Sequence, residues 1–572
     1  MNSNLNSIPD SQDKNLHTAY LIHNCNLFNK RFPELARLLH LDTKASILKL
    51  FKGIPQDYNI SKCKKNDKAY TLHVGSHFLH SHYDSQTEAR NILSTLEVHQ
   101  KNMYVFCGLG LGYHIELFLL KHTESKLVIV EPDIYVFLLF MANRKLDSFF
   151  LHKDISILVG ISPRELVHFL QSIDALEINP FFLRSFETLH KAWYHEFLTI
   201  KQRMVARKTV NAHTAKKFFE RWFKNSAKNF FYGTKPLSTI AQLENAYSGN
   251  SAIIFAGGPS LEYDIHILKH KLNNIIIIAV DTACRLLIAN NIIPHFVITG
   301  DPQYVNFQHL QFVNLSQTVL VSEITIFTHA LQLDTKKTLL FSQGLPLIDE
   351  VCRIIQHTAN DFILPVLHSG GSVATTAYSF ALFLGVKNIY FSGLDLSFVD
   401  GKTHFRGSTF EEKTHSLSTK LCSSHTKLVE SFFSSQPFLV PSNLGKDCTI
   451  PTEKRMQLYG WWFESAIQTK PKHVSVFTFS KKGMYIPGIL YVDIEDFIKN
   501  TNTTSISEKE IDVSIQSISP LHLQKKTILD SYKEVLKRLK NDTSFSATLL
   551  PIPEIERNAL LKNLEAFLAM YT

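Results

Sequence analysis

Two short runs of small residues are where this sequence could offer its backbone to a ligand. Gly257-Gly258-Pro259-Ser260 follows the apolar run Ser251 to Ala256 and precedes a helical pattern reaching about Leu272. Glycines let the main chain approach a ligand, and proline at a first helical position has its φ pre-set. The unpaired N–H groups of that helix start, at the positive end of the dipole, suit a phosphate. An ordinary tight turn accounts for the same residues equally well. Ser369-Gly370-Gly371-Ser372 repeats the arrangement before the helical run VATTA. Two such openings in one sheet favour a shared nucleotide site more than either alone. Asp281 and Asp301 end apolar runs, where a carboxylate accepts hydrogen bonds from a ribose or base, or simply caps a helix. Asp395 leads into a glycine-flanked loop carrying Lys402, Thr403, His404 and Arg406. Histidine is the usual general base near neutral pH. With 27 histidines in the chain, His404 and His368 stand out by position alone.

These residues need a sheet to hold them. Ser251–Ala256, Asn274–Val280, Pro294–Thr299, Phe362–Leu367 and Asn388–Phe391 read as strands, separated by helical patterns. The alternation predicts a doubly wound, mostly parallel Rossmann-like sheet, whose ligands bind beyond the carboxyl ends of the strands. An earlier strand, Asn102–Cys107, runs through Gly108-Leu-Gly-Leu-Gly112 into an apolar helix and a second strand, Lys126–Val130, ending at Glu131. Ile155–Val159 continues this first α/β sheet. Between Lys201 and Lys228 lie nine basic residues and one acid, with Lys217, Arg221, Lys224 and Lys228 on one helix face. That face is a solvated connector or a cationic wall beside an anionic substrate. The expected division is residues 1–180 as an N-terminal Rossmann-like domain, frayed over 1–19, and 181–234 as a basic helical connector. A catalytic domain over 235–490, a linker over 491–520 and a helical cap over 521–572 complete it.

The 572 residues exceed one hydrophobic core, and 45% apolar with 19% charged residues excludes a disordered or coiled-coil chain. The longest apolar runs, such as Ile275–Val280, fall far short of the roughly 18 residues of a membrane span. The N-terminus has no signal-peptide pattern, so a cytoplasmic protein is expected. Seven scattered cysteines without a C-x-x-C argue against disulfides and zinc. A net charge of +9 over this length suits anionic small molecules and is too weak for nucleic acid.

Ala256-Gly-Gly-Pro-Ser-Leu261, Val280-Asp-Thr-Ala283, Thr299-Gly-Asp-Pro302, His368-Ser-Gly-Gly-Ser-Val-Ala374 and Ser392-Gly-Leu-Asp-Leu396, then Gly401-Lys-Thr-His404, occur in that order. The set resembles the motility-associated factor (Maf) glycosyltransferases, over roughly residues 80–490. Cys107–Gly112 and Val130-Glu-Pro-Asp133 look like that family's N-terminal domain. Two positions depart from its pattern, Ala256 for a glycine and Leu394 for a polar residue, and neither removes a backbone N–H. The resemblance implies a central domain similar to bacterial sialyltransferases that use a CMP-sugar. The donor would be CMP-pseudaminic or CMP-legionaminic acid, the acceptor Ser or Thr of flagellin, and the outcome flagellum assembly and motility. In that reading CMP departs toward Gly257–Ser260 and Ser369–Ser372, Asp281 and Asp301 hold the nucleoside, and Lys217, Arg221 and Lys224 face the sugar carboxylate. His404, with Asp395 orienting its loop, is the base or a phosphate partner. A single phosphate needs no metal and no further cofactor, whereas diphosphate donors usually need a divalent ion held by carboxylates. The sequence has no Asp-x-Asp; Asp493-Ile-Glu495 is the nearest match.

Three other readings stay open. The glycine turn at 108–112 with Glu131 has the spacing for S-adenosylmethionine in a methyltransferase, although no methyl-transfer motif follows and a relic sheet used for structure or acceptor docking is preferred. The G-P-S-L domain also resembles a 6-hydroxymethylpterin diphosphokinase, which would need Mg²⁺ and ATP. A non-catalytic flagellar assembly factor is the last.

Overall fold

The computed structural model describes residues 11–571 except 67–68, 96–102, 124, 174, 176–177, 232–237, 270, 273, 360–361, 501–507, 521–522, 543–544 and 546–553. The chain forms two compact units, Met1–Lys208 and Thr209–Thr572. The architecture is mixed α/β with Rossmann-like parallel sheets, as the alternation of apolar runs requires.

In the first unit a small antiparallel sheet, β1 (Tyr58–Lys62), β2 (Tyr70–Val74) and β3 (His77–Phe78), precedes a parallel sheet. That sheet contains β4 (Met103–Cys107), β5 (Lys126–Glu131), β6 (Ile155–Val159) and β7 (Phe181–Phe182), in the order β6-β5-β4-β7. Strand β5 is buried from Leu127 to Glu131, as expected of a parallel strand covered on both faces. Residues 1–10 of the stretch read as frayed lie outside the described residues, but a helix already spans Ser11–Arg31. Its polar residues are put to use. The buried His17 Nδ1 bonds the Ala142 carbonyl at 2.7 Å, and Asn24 Nδ2 donates to the carbonyls of Met141 and Arg144.

The second unit is built on nine parallel strands: β8 (Ser238–Thr239), β9 (Ser251–Phe255), β10 (Ile276–Val280), β11 (Phe296–Thr299), β12 (Leu315–Glu323), β13 (Thr335–Phe341), β14 (Asn388–Ser392), β17 (Ser475–Thr478) and β18 (Leu490–Tyr491). An antiparallel hairpin, β15 (Phe438–Ser442) and β16 (Gly445–Thr452), stands apart. The sheet order is β18-β17-β14-β9-β10-β11-β12-β13-β8. Successive strands leave β9 in one direction, and the chain then returns to add β14 on its other side. The strand order therefore reverses between β9 and β14, where open α/β sheets bind ligands.

Residues 362–367 form no strand. Pro365 has no N–H to give a ladder, and the segment makes one bridge, with Ser342 donating to the Pro365 carbonyl and Leu367 to that of Ser342. Strands β12 and β13 supply the pairing instead. The segment expected as a linker also packs: helices cover Ile494–Asn500 and Glu508–Gln516, and Ile511, Ile515 and Ile518 enter the sheet's core. Part of that expectation, 501–507, falls outside the described residues. Helices Lys525–Asn541 and Glu554–Ala569 make the C-terminal layer.

The basic segment is one helix, Lys191–Phe231, and it serves both units. Phe197 is buried in a core of the first, while Phe219, Phe223 and Phe230 share one with Tyr532 and Phe567. Asn229 donates from Nδ2 to the carbonyls of Ile324 and Ile326, at 2.7 and 2.9 Å, and Asn225 to those of Pro302 and Thr325. The loops beyond β11 and β12 are thereby tied to this helix. Asn229→Ala leaves two carbonyls without their donor and is expected to cost about 2 kcal/mol, read as a lower urea midpoint at unchanged slope. Among the described residues no helix is long and apolar enough to cross a membrane.

Candidate functional site

The first bend leaves β9 and meets the loop after β14. The Gly258 amide donates to the Gly393 carbonyl at 2.9 Å, and the Ser260 amide donates to Asp395 Oδ2 at 2.8 Å. A Cβ on Gly258 would overlap both acceptors, so only glycine fits there. Asp395 is 2% exposed and also accepts from Ser480 Oγ. Burial pushes its carboxyl above the usual range. It therefore orients the loop as a buried anchor and does not face solvent. Pro259 has no amide hydrogen, so the free donor left in the bend among the described residues is the Gly257 amide.

Gly257 is crowded from two sides. A Cβ there would stand 2.7 Å from Thr282 Oγ1 and 3.4 Å from His404 Cδ2, and its carbonyl accepts from the Phe405 amide. The loop bearing His404 thus folds back over the bend. His404 Nδ1 bonds Thr403 Oγ1 at 2.9 Å, and the ring packs 4.4 Å from Phe410. Burial, with the charges of Arg455 and His309, brings its pKa down to about 4, so the imidazole is neutral at physiological pH.

The second bend opens helix Val373–Phe383. Ser372 Oγ caps it by accepting from the Ala374 amide, Ser369 Oγ accepts from the Gly371 amide, and Thr375 Oγ1 accepts from the Gly370 amide at 2.8 Å. Among the described residues the Ser372 and Val373 amides have no acceptor. Trp462 lies on Gly370, and Tyr459 Cε1 would be 3.3 Å from a Cβ on Gly371. Both rings come from helix Lys454–Thr469, whose first turn carries Arg455. One helix therefore touches the second bend through Tyr459 and Trp462, and the charge of Arg455 in its first turn helps lower the pKa of His404, over the first bend. Sequence reasoning missed this element. Arg455, Tyr459 and Trp462 fall at i, i+4 and i+7, the spacing of one helix face, which was the available signal.

The carboxylates at the strand ends differ in kind. Asp281 is 1% exposed and accepts from the Thr282 amide and Thr299 Oγ1, at 2.8 and 2.9 Å. Asp301 is partly exposed and accepts from the Gln303 amide at 2.9 Å. Burial raises it while Gln303, Asn306 and Arg221 oppose the rise. Of the basic helix face, Arg221 bears on Asp301 through its charge, and Lys217 and Arg221 both lie over Phe218. Lys224 and Lys228 turn instead to Phe567, and Lys224 also pairs with Glu220. His368 is exposed beside Gly344 and Asp349, beyond β13, rather than beside His404.

Burial pushes Asp264, Asp281 and Glu323 up to about 7 and Glu131 to about 8. Each binds a proton more tightly folded than unfolded, so stability is lost as pH rises from the ordinary carboxylate range through these values. The buried histidines His295, His309 and His404, lowered to about 4, act oppositely and only below about pH 6.5. The melting temperature is therefore expected to fall from pH 6.5 to 8, and Asp281→Asn to flatten that fall.

The glycine turn of the first unit is closed by its own side chains. Glu131, 2% exposed, accepts from the amides of Leu109 and Asp133, and His80 Nε2 accepts from the Leu111 amide at 2.7 Å. The carboxylate that would hold a ribose is spent on the turn, which agrees with a structural role.

The fold is that of a Maf glycosyltransferase, as the ordered motifs anticipated. The solved Maf glycosyltransferase of Magnetospirillum magneticum AMB-1 superimposes over 97% of this chain and 86% of its own, with a TM-score of 0.60 at 15% identity. Residues 224–401 match the family described as 6-hydroxymethylpterin diphosphokinase MptE-like. An uncharacterized protein of Treponema pallidum (strain Nichols) is 32% identical over 44% of this chain and 85% of its own length, and the chain belongs to that protein's family. Another from the same organism is 23% identical over 62% of each chain.

Proposed function

We propose that the chain is a glycosyltransferase that moves a nonulosonic acid from a CMP-sugar to Ser or Thr hydroxyls of flagellin. The observation that carries this is the helix Lys454–Thr469, which packs on the second amide-bearing bend and brings the charge of Arg455 to bear on His404 over the first, at the carboxyl edge of a sheet with the Maf fold. The phosphate sits on the free amides of Ser372 and Val373 and reaches that of Gly257, so the helix start stabilises the leaving group. Asp281 fixes Thr282 and Thr299 around the nucleoside, and neutral His404 with Thr403 covers it from above. Arg221 and Lys217 attract the sugar carboxylate. No metal or further cofactor is required in this scheme. The protein acts in the cytoplasm, before flagellin is exported.

The diphosphokinase reading has one observation in its favour, the match of residues 224–401 to the MptE-like family. Intact-mass analysis of flagellin from a strain lacking this protein separates the two. A loss equal to a nonulosonic acid supports transfer. Unchanged flagellin, with ATP- and Mg²⁺-dependent diphosphorylation of a hydroxymethylpterin by the purified chain, supports the other. Unchanged flagellin without that activity leaves an assembly role.

A further inference from the structure

Resting on the glycosyl-transfer reading, we propose that Asp301, not His404, is the catalytic residue that takes the acceptor's proton. Of Asp264, Asp281, Asp301, Glu323 and Asp395, one carboxylate is open to solvent. Asp264, Asp281, Glu323 and Asp395 are at most 2% exposed and bonded to Ser392, Thr299, Thr325 and Ser480 respectively. Asp301 stands past the end of β11 with part of its surface open to solvent. It accepts from the Gln303 amide, which fixes its orientation, and from Gln303 Nε2 only at 3.4 Å. The adjacent Pro302 carbonyl is pinned by Asn225 of the basic helix, so the loop is held from behind. The groups whose charges bear on Asp301 are Arg221 from that helix, Asp281 from the end of β10 and Tyr459 from the helix across the second bend. Gly300, next to Asp301, packs against Gln343, and Gly344 beside that against His368, the residue before Ser369, so the Asp301 loop and the second bend lie together beyond the strand ends. His404 is committed to Thr403 and Phe410 and packs over Gly257, on the nucleotide side.

The step balances without a co-reactant. The acceptor O–H bond breaks and its proton passes to the Asp301 carboxylate. The oxygen's electron pair forms the new bond to the anomeric carbon. The bond from that carbon to the phosphate oxygen breaks, and its electron pair leaves with CMP. Arg221 is a positioning residue here, its charge opposing the rise that burial gives the carboxyl pKa; removing that charge raises the pKa further.

The test measures CMP release and flagellin mass with CMP-pseudaminic acid for the wild type, Asp301→Asn, Asp301→Glu and Arg221→Ala. A general base contributes about 10²- to 10⁴-fold, so Asp301→Asn should lose at least a hundredfold in kcat with donor affinity within threefold. Asp301→Glu should recover part of the loss, and Arg221→Ala should move the acid limb of the kcat profile to higher pH. If the wild type transfers sugar and Asp301→Asn keeps kcat within threefold, the base assignment is overturned while transfer stands. A variant that loses donor affinity with kcat intact also overturns it, placing Asp301 on the nucleoside. No turnover by the wild type with either CMP-pseudaminic or CMP-legionaminic acid refutes the transfer reading on which the proposal rests.

Discussion

Asp395→Ala is expected to lower the stability of the second unit and abolish CMP binding in the same variant. The carboxylate joins three segments distant in sequence. It accepts from the Ser260 amide at the start of the helix after β9 and from Ser480 Oγ after β17, while its own backbone follows β14. Removing it leaves the part-buried Ser260 amide and the buried Ser480 hydroxyl without an acceptor, each costing about 1–3 kcal/mol, so a loss of about 2–6 kcal/mol is predicted. The first bend would then lose the contact that sets its path. Calorimetric unfolding and CMP titration check both effects. A variant that melts earlier yet binds CMP with unchanged affinity would show that the bend is structural only. Asp395→Asn keeps one accepting oxygen and should fall between.

Gly370→Ala is expected to weaken CMP binding tenfold or more, with a smaller loss of stability. A Cβ at this position overlaps the Trp462 indole. That ring is 8% exposed and packed edge-on to Tyr378 and Phe463, so it has little room to withdraw. Overpacking of this kind typically costs about 1–3 kcal/mol. The ring must push helix Lys454–Thr469, carrying Tyr459 off Gly371 and Arg455 away from His404. The check is a double variant in which Trp462→Leu gives the methyl its space: CMP affinity should recover in Gly370→Ala/Trp462→Leu relative to Gly370→Ala. Equal affinity in wild type and Gly370→Ala would mean that the helix does not shape the site.

The parts legible in the sequence were those written in local patterns. Apolar runs of four to six residues ending in Gly, Ser or Asp gave β9, β10, β11 and β14, because buried parallel strands are apolar throughout. β12 begins with Leu315-Ser-Gln-Thr and β13 with Thr335-Lys-Lys-Thr, and such polar openings hide a strand whose far half alone is buried. Pro365 sits in an apolar run that mimics a strand. The helix over the second bend left one local signal, the shared face of Arg455, Tyr459 and Trp462, but its partners Gly370 and Gly371 lie about 90 residues upstream, and nothing local says what that face meets. The position of Asp395 at the end of β14 was legible, but its burial and its bonds to Ser260 and Ser480 were not, since they depend on segments arriving from β9 and β17. The same holds for Glu131, whose spacing fits a ribose and whose hydrogen bonds close its own turn.

Hydrogen exchange of the purified protein with and without saturating CMP tests the central claim most directly. Peptides covering 256–262 and 369–376 should both gain protection, with one shared midpoint as CMP is titrated, while those covering 108–112 remain unchanged. Protection of only one bend, two different midpoints, or a response confined to 108–112 would contradict a single nucleotide held between Gly257 and Ser372.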